Sequence, residues 1–340
     1  NCLNNPLGEA VHIIIKVFEE TPRLRTLCGF EEGVEQIDWS ESQKGPVEVA
    51  LLAADLKAGR AIGAINSVTV DSTGDTKDRR GGWRNGGPKT YTLTAGEEHL
   101  ELSSKNLGSA DVTLVAAWLT TSAGGAIARL VLNGNTITNY GKDLSGLTAL
   151  CDVLPTLKNP ISLELADCNL KVAEVNELAR AMAAGGALTC INCLANNFGE
   201  DDLATLLTAI EGTSIRSLCG LTEGQTTADF SKQNLKPIDC KIIAAEFGFR
   251  GFIAAITSMN CLHNPLGEGV QVIIKIFEET PRLRTLCGLE EGVEQIDWSK
   301  SGKGPADVAL LAADLKAGRA IGAINLLTLD STGNMRDQKT

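Results

Sequence analysis

The sequence predicts an α/β repeat solenoid in which each coil is one strand followed by one helix. Three observations carry this expectation. At an offset of 259, residues 1–76 and 260–335 are identical at 61 of 76 positions, which marks an internal duplication. A second register, at offset 68, sets Asn192-Cys193-Leu194 against Asn260-Cys261-Leu262, so a shorter period lies inside the long one. The composition is 43% hydrophobic but only 4% aromatic, so the core must be built from Leu, Ile, Val and Ala.

The short unit reads directly from Ile127-x-x-Leu130-x-Leu132-x-x-Asn135-x-Ile137. Leu188, Ile191, Cys193, Asn196 and Phe198 take the same slots, as do Ile256, Met259, Cys261, Asn264 and Leu266. A variant, Leu163, Leu165, Cys168 and Leu170, uses cysteine in place of the asparagine. The Leu-x-Leu alternation has the strand period of two, sending Leu130 and Leu132 inward while Arg129, Val131 and Asn133 face out. The asparagine then closes the turn, its buried amide donating to carbonyls of the neighbouring coil. A helix-period segment follows, such as 267–277, whose apolar face packs on the strands.

On these motifs the chain resembles the leucine-rich-repeat family, and coils of about 27 residues with a full helix are most similar to its ribonuclease-inhibitor-like subtype. The resemblance spans nearly the whole chain. It implies a horseshoe solenoid over 1–340, with a parallel sheet on the concave face and helices on the convex one, and a scaffold rather than a chemistry. Alternate coils depart from the simple pattern by carrying a strand-like prefix. Leu24–Phe30 runs through Glu31-Glu32-Gly33 into Val34–Ser40, with cognates beginning near Tyr91, Ile215 and Leu283. The glycine after two polar residues predicts a β-hairpin or an extra strand there, projecting from a rim or widening the sheet.

One coil is different. Ile65-x-x-Val68-x-Val70 has the strand spacing, but 71–90 is a Gly-rich basic insertion with no helical pattern, expected as a surface loop. Ile324-x-x-Leu327-x-Leu329 repeats that strand near the C-terminus. The chain starts in mid-coil, and the expectation is a window from a longer array, with an upstream strand ending in a residue like Met259.

Lys and Arg number 31 against 42 Asp and Glu, for a net charge of −11, which argues against a general binder of nucleic acid or anionic membrane. No apolar run is long enough to span a bilayer; 241–262, for example, is broken by Glu246 and Arg250. The predicted concave face carries an acidic column at the residue between the two inward strand positions: Asp38, Glu101, Glu164, Asp229 and Asp297, with Glu35, Glu98, Asp167 and Glu294 nearby. With strands about 4.8 Å apart, such carboxylates would steer a basic protein partner; otherwise they keep an open sheet soluble. A second contact candidate is the loop with Arg79, Arg80, Trp83 and Arg84, a basic and aromatic exception in an acidic chain. It suits an acidic protein better than RNA, and a plain surface insertion remains its simplest reading.

Trp39, Trp298 and Phe230 fall at inward positions and are expected as core anchors, as are Cys193 and Cys261. Cys190 and Cys193 form an isolated C-x-x-C whose strand spacing opposes its members, so neither zinc nor redox chemistry is expected. His12, His99 and His263 are scattered over different coils, and His12 is replaced by Gln271 in the duplicate. Gly134–Lys142 mimics a phosphate loop, but Gly141 lies too far on and Asp143 stands where Ser or Thr is required. The expectation is a non-enzymatic interaction scaffold with no cofactor and no metal, binding a basic protein. The alternatives are a structural array that associates end to end or joins a large complex, and a regulator such as a hydrolase inhibitor or GTPase activator.

Ten cysteines, without any Asn-x-Ser/Thr site, fit the cytoplasm or another reducing intracellular compartment. The expected outcome is that all ten thiols titrate with a thiol reagent after denaturation without reductant. Several missing thiols would contradict it.

Overall fold

The strands are short and in most coils a helix follows after a turn, because alternating Leu or Val positions give way there to segments of helical period. The computed structural model describes residues 1–77, 80–248 and 252–330. Its contacts divide the chain into two compact units, 1–215 and 216–340. Among the described residues both units are mixed α/β, alternating strands with helices, and all but one of the paired strand neighbours are parallel. Parallel pairing follows from the helical crossovers, which return the chain to the same end of the sheet.

In the first unit the order is α1 (Ala10–Glu20), β1 (Gln36–Asp38), α2 (Pro46–Ala58), β2 (Ser67–Asp71), β3 (Thr90–Thr94), β4 (His99–Glu101) and α3 (Ser109–Leu119). It continues with β5 (Arg129–Val131), α4 (Ser145–Val153), β6 (Ile161–Glu164), α5 (Val172–Ala183), β7 (Leu188–Asn192) and α6 (Glu200–Ile210). These strands make two sheets, β1-β2-β3 and β4-β5-β6-β7. The second unit runs β8 (Thr227–Asp229), α7 (Pro237–Gly248), β9 (Ser258–Asn260), α8 (Gly269–Glu279), β10 (Gln295–Trp298), α9 (Pro305–Ala317) and β11 (Leu326–Leu329), pairing β8 with β9 and β10 with β11.

The alternation expected of the strands is present for the inward positions, but Val131, expected to face out, is buried in mid-sheet. Leu130, Leu132, Leu163, Leu165, Ile191, Cys193, Met259 and Cys261 are buried, as are Trp39, Trp298 and Phe230. The asparagines act between coils. Asn135 Nδ2 donates to the carbonyls of Leu132 (2.7 Å) and Leu102 (2.9 Å), and its Oδ1 accepts from the Leu107 amide (3.0 Å). Asn196 repeats this on Leu165, Cys168 and Leu170, and Asn264 on Phe230, Gln233 and Leu235. Where cysteine takes the slot, Cys168 Sγ donates to Leu132 O at 3.3 Å.

Among the described residues no prefix forms a hairpin with the strand of its own coil, and the alternative expectation, an extra strand, is met once, as β3. Two of the prefixes lie beside the strand of the coil before. Thr90–Thr94 is a full strand, β3, but it pairs antiparallel with β2, in the register Val68 with Leu93 and Val70 with Tyr91. The segment after α8 is bridged to β9 at Thr285 and Cys287, with Met259 N donating to Thr285 O (3.0 Å) and Cys261 N to Leu286 O (2.9 Å). The physical reason is that a hairpin partner would leave the previous coil's strand edge unpaired, and the prefix satisfies that edge.

A prefix too irregular to form a full ladder needs another acceptor for its own amides, and a buried helix carboxylate supplies it. Asp55 of α2 accepts from Thr26 Oγ1 (2.7 Å), Leu27 N (2.7 Å) and Cys28 N (2.9 Å). Asp314 of α9 does the same for Thr285, Leu286 and Cys287, and Glu246 of α7 for Ser217, Leu218 and Cys219. In α3 the corresponding residue is Trp118, fully buried, and there the prefix is the true strand β3. Arginines close the same coils from the other side. Arg60 donates to the carbonyls of Phe18 (3.0 Å), Thr21 (3.1 Å) and Leu24 (2.8 Å), and Arg319 makes the matching set on Phe277, Thr280 and Leu283.

Glu246 Oε1 takes all three donors, while Oε2 has no hydrogen-bond partner among the described residues. Burial pushes its carboxyl above the ordinary value, despite the donors from Ser217, Leu218 and Cys219. Because the folded value is the higher one, the protonated form's contribution is complete below the ordinary carboxylate range and is lost as pH rises through the raised value. Glu246→Gln should therefore match the wild type in urea unfolding near pH 4 and exceed it near pH 8, whereas Glu246→Ala should lose about 2–4 kcal/mol near pH 4 and less near pH 8. A Gln variant that loses as much as the Ala variant contradicts the protonated clamp.

Candidate functional site: the open face of the sheets

Four of the five column residues are exposed on their strands: Asp38, Glu101, Asp229 and Asp297. Each carboxylate also holds its own turn, accepting the amide two residues on: Ser40 (2.9 Å), Ser103 (2.9 Å), Ser231 (2.9 Å) and Ser299 (2.8 Å). The Ser40 hydroxyl and amide hold Asp38 below the ordinary carboxylate value, and Ser299 does so for Asp297, so both stay charged at neutral pH.

Glu164 is the exception. It is 2% exposed, pairs with Arg129 at 3.1 Å and accepts from Asn192 Nδ2 at 2.8 Å. The reason is lateral: Arg129 on β5 and Asn192 on β7 lie over it from both neighbouring strands, so an outward-pointing residue in mid-sheet is covered by its neighbours. It is not available to a partner. The strand register also thins the column, because Glu101 is opposite Val131, Glu164 opposite Asn192, Asp38 opposite Thr69, Asp229 opposite Asn260 and Asp297 opposite Thr328. Carboxylates thus alternate with neutral residues within each sheet.

The second unit has a concavity on its open sheet face. A hollow of about 440 Å³ is lined by Thr227 and Asp229 of β8, by Ser258 and Asn260 of β9, and by Arg284, Glu290 and Glu291 of the prefix alongside. Arg284 is held by Glu291 through two contacts of 2.9 Å, and this pairing raises the guanidinium further above its usual value. With that cation paired, Asp229 and Glu290 give the hollow its negative charge. The sequence reading found Asp229 but missed Glu290 and Glu291. The signal was the prefix, once it is known to flank β9 rather than to fold on its own strand.

The basic insertion is a structured connection between β2 and β3. Asp75 is buried and accepts the amides of Thr76 (2.8 Å), Asn85 (2.9 Å) and Gly87 (2.7 Å), while Asn106 Nδ2 donates to Asn85 O (2.9 Å) and Gly87 O (2.7 Å). Trp83 is 44% exposed, with Lys77 Nζ 4.9 Å from its ring centre. Arg80 and Arg84 are exposed beside it, and Arg79 lies outside the described residues.

Cys190 and Cys193 are both buried, although their spacing opposes them on the strand. Burial pushes the thiols of Cys151, Cys168 and Cys240 up to about 12, which keeps them protonated and poor nucleophiles at neutral pH. The histidines are not brought together: His99 lies 3.8 Å from Glu101, and His263 meets Lys303 at 2.6 Å in the other unit. Among the described residues no helix is long and apolar enough to cross a membrane. Comparison with protein-family models and with curated proteins gives no match to this chain.

The contrast within the column is testable. Glu164→Lys should lower stability by about 2–4 kcal/mol in urea unfolding, because it buries a like charge against Arg129. Glu101→Lys should leave the unfolding midpoint nearly where it is. Equal effects of the two changes would mean that Glu164 is as exposed as Glu101.

Proposed function

We propose that the chain is a leucine-rich-repeat solenoid of the ribonuclease-inhibitor-like kind that serves as a non-catalytic protein-binding scaffold and takes a basic partner on its open sheet face. The observation that carries this reading is the acidic hollow over β8 and β9, where Asp229 and Glu290 stand beside an already satisfied Arg284. A preformed surface of this kind costs little ordering on binding, and its charge sets partner sign and association rate more than affinity. Asp38, Glu101 and Asp297 extend the same chemistry over the other sheets. A structural array is the second reading, favoured by the duplicated blocks, which keep the arginine and carboxylate clamps in both copies.

The test is affinity capture from the native source at low and moderate salt, with wild type and an Asp229→Lys, Glu290→Lys variant. The expected result is a basic protein that is retained at low salt, released by moderate salt and lost with the variant. Retention of the same protein by the variant would reduce the acids to a solubility device. Recovery only of longer self-associating chains would move the reading to the array.

A further inference from the structure

The coil that starts at β2 carries no helix, so α2 and α3 pack directly against each other. In the first unit the helices follow as α1, α2, α3 and α4, each touching the next. A groove of about 780 Å³ on this helical side, distinct from the open sheet face, is lined by residues of all four. Given that order of contacts, α2 and α3 supply the floor and α1 and α4 the walls.

The chemistry of the lining narrows what fits. The middle of the floor is Ala50, Ala53, Ala54, Thr113, Ala116 and Ala117, all small and four of them buried, with the larger Val47 and Lys57 towards the two ends of α2, and Ile15 and Val153 extend the apolar surface up the two walls. Small side chains let another helix approach closely, since interaxial distance is set by the residues at the contact. Helices in this row already come that near: a Cβ on Gly146 of α4 would meet the Ser109 carbonyl oxygen of α3 at 2.2 Å. The lining holds no Phe, Tyr or Trp, the residues that usually grip a small apolar ligand. At 13 residues, α2 offers a floor about 20 Å long, enough for three to four turns of a guest helix.

The charge is one-sided. Glu9, Glu19, Asp143 and Asp152 line the groove against a single lysine, Lys57, which is bound to Glu19 at 2.9 Å. Asp152 is paired with Arg180 at 2.8 Å, so Glu9 and Asp143 are the carboxylates with no ion-pair partner among the described residues. We propose that this groove docks an amphipathic α-helix of a partner protein, one with a narrow apolar face flanked by Lys or Arg. This is the helix-in-groove mode, in which apolar anchors give affinity and flanking charges give orientation.

The test uses the full chain and a fluorescein-labelled synthetic peptide of about 16 residues, with an Ala/Leu stripe at helical spacing and Lys on its flanks. Fluorescence anisotropy should show saturable binding that weakens with salt, and a peptide of the same composition in scrambled order should not bind. Ala50→Phe and Thr113→Phe, which fill the floor, should each weaken binding by about tenfold or more. Glu9→Lys, at the exposed N-cap of α1, should weaken it severalfold at low salt, with the thermal unfolding midpoint lowered by no more than a few degrees.

Equal binding of the ordered and scrambled peptides would overturn the proposal, as would undiminished binding to a filled variant that melts like the wild type. If neither Phe variant folds, Glu9→Lys decides, and unchanged affinity at low salt overturns it. Peptide binding lost with Asp229→Lys, Glu290→Lys instead of with the groove variants would place the peptide on the sheet face and likewise overturn it. Capture of a basic protein on that face is scored separately, so either reading can fail alone.

Discussion

Backbone hydrogen bonding between successive coils is the constraint on which the rest of the structure depends. A strand of three to five residues makes few ladder bonds, and the turns that follow it present buried amides and carbonyls to the adjoining coil. Leaving each such group unpaired would cost about 1–3 kcal/mol, comparable to a sizeable part of a domain's net stability. The chain answers with side chains aimed across the coil boundary: Asn135, Asn196 and Asn264 at the turns, and Asp111 and Glu174 at helix starts. Asp111 serves its own helix through the Gly108 amide and the preceding segment through Thr73 and Tyr91, and Glu174 does the same with Lys171 and Thr138.

The prefix segments show two solutions to one problem. Where the added chain becomes a proper strand, as in β3, its backbone is satisfied by the ladder to β2 and the helix behind it carries Trp118. Where it stays irregular, a buried carboxylate takes up its amides, as Asp55, Glu246 and Asp314 do. Burial raises Glu246 and Asp314 above the ordinary carboxylate value, so the clamp is held at an electrostatic cost. The benefit is a wall beside β9, which turns an otherwise open sheet face into a hollow. Function and fold meet at this point, because the same segment that seals a strand edge also contributes Glu290 and Glu291 to the candidate contact surface.

Missing structure matters as much as added structure. Among the described residues the coil without a helix brings α2 and α3 together, and their alanines, flanked by α1 and α4, line the groove of the first unit. The sheet face and the helical side thus differ in what they offer. One carries charge on alternate strands over a polar surface; the other offers an apolar trough with acids at its margins.

The sequence by itself determined the strand–helix coil, its inward residues and the role of the asparagines, since those signals sit within one coil and follow from periods of two and 3.6. It also placed Asp38, Glu101, Asp229 and Asp297 on exposed strand positions, because alternation alone decides that. It could not tell that Glu164 is covered, because the covering Arg129 and Asn192 come from other coils and only strand register brings them there. Nor could it choose the partner of Thr90–Thr94, which depends on which strand edge is free in three dimensions. The duplicated blocks show the division most directly. Leu24 is 42% exposed and its cognate Leu283 is fully buried, while Leu56 is 2% exposed and its cognate Leu315 is 37% exposed. Identical residues on identical elements differ because burial is a property of what packs against them, and only the tertiary structure decided that.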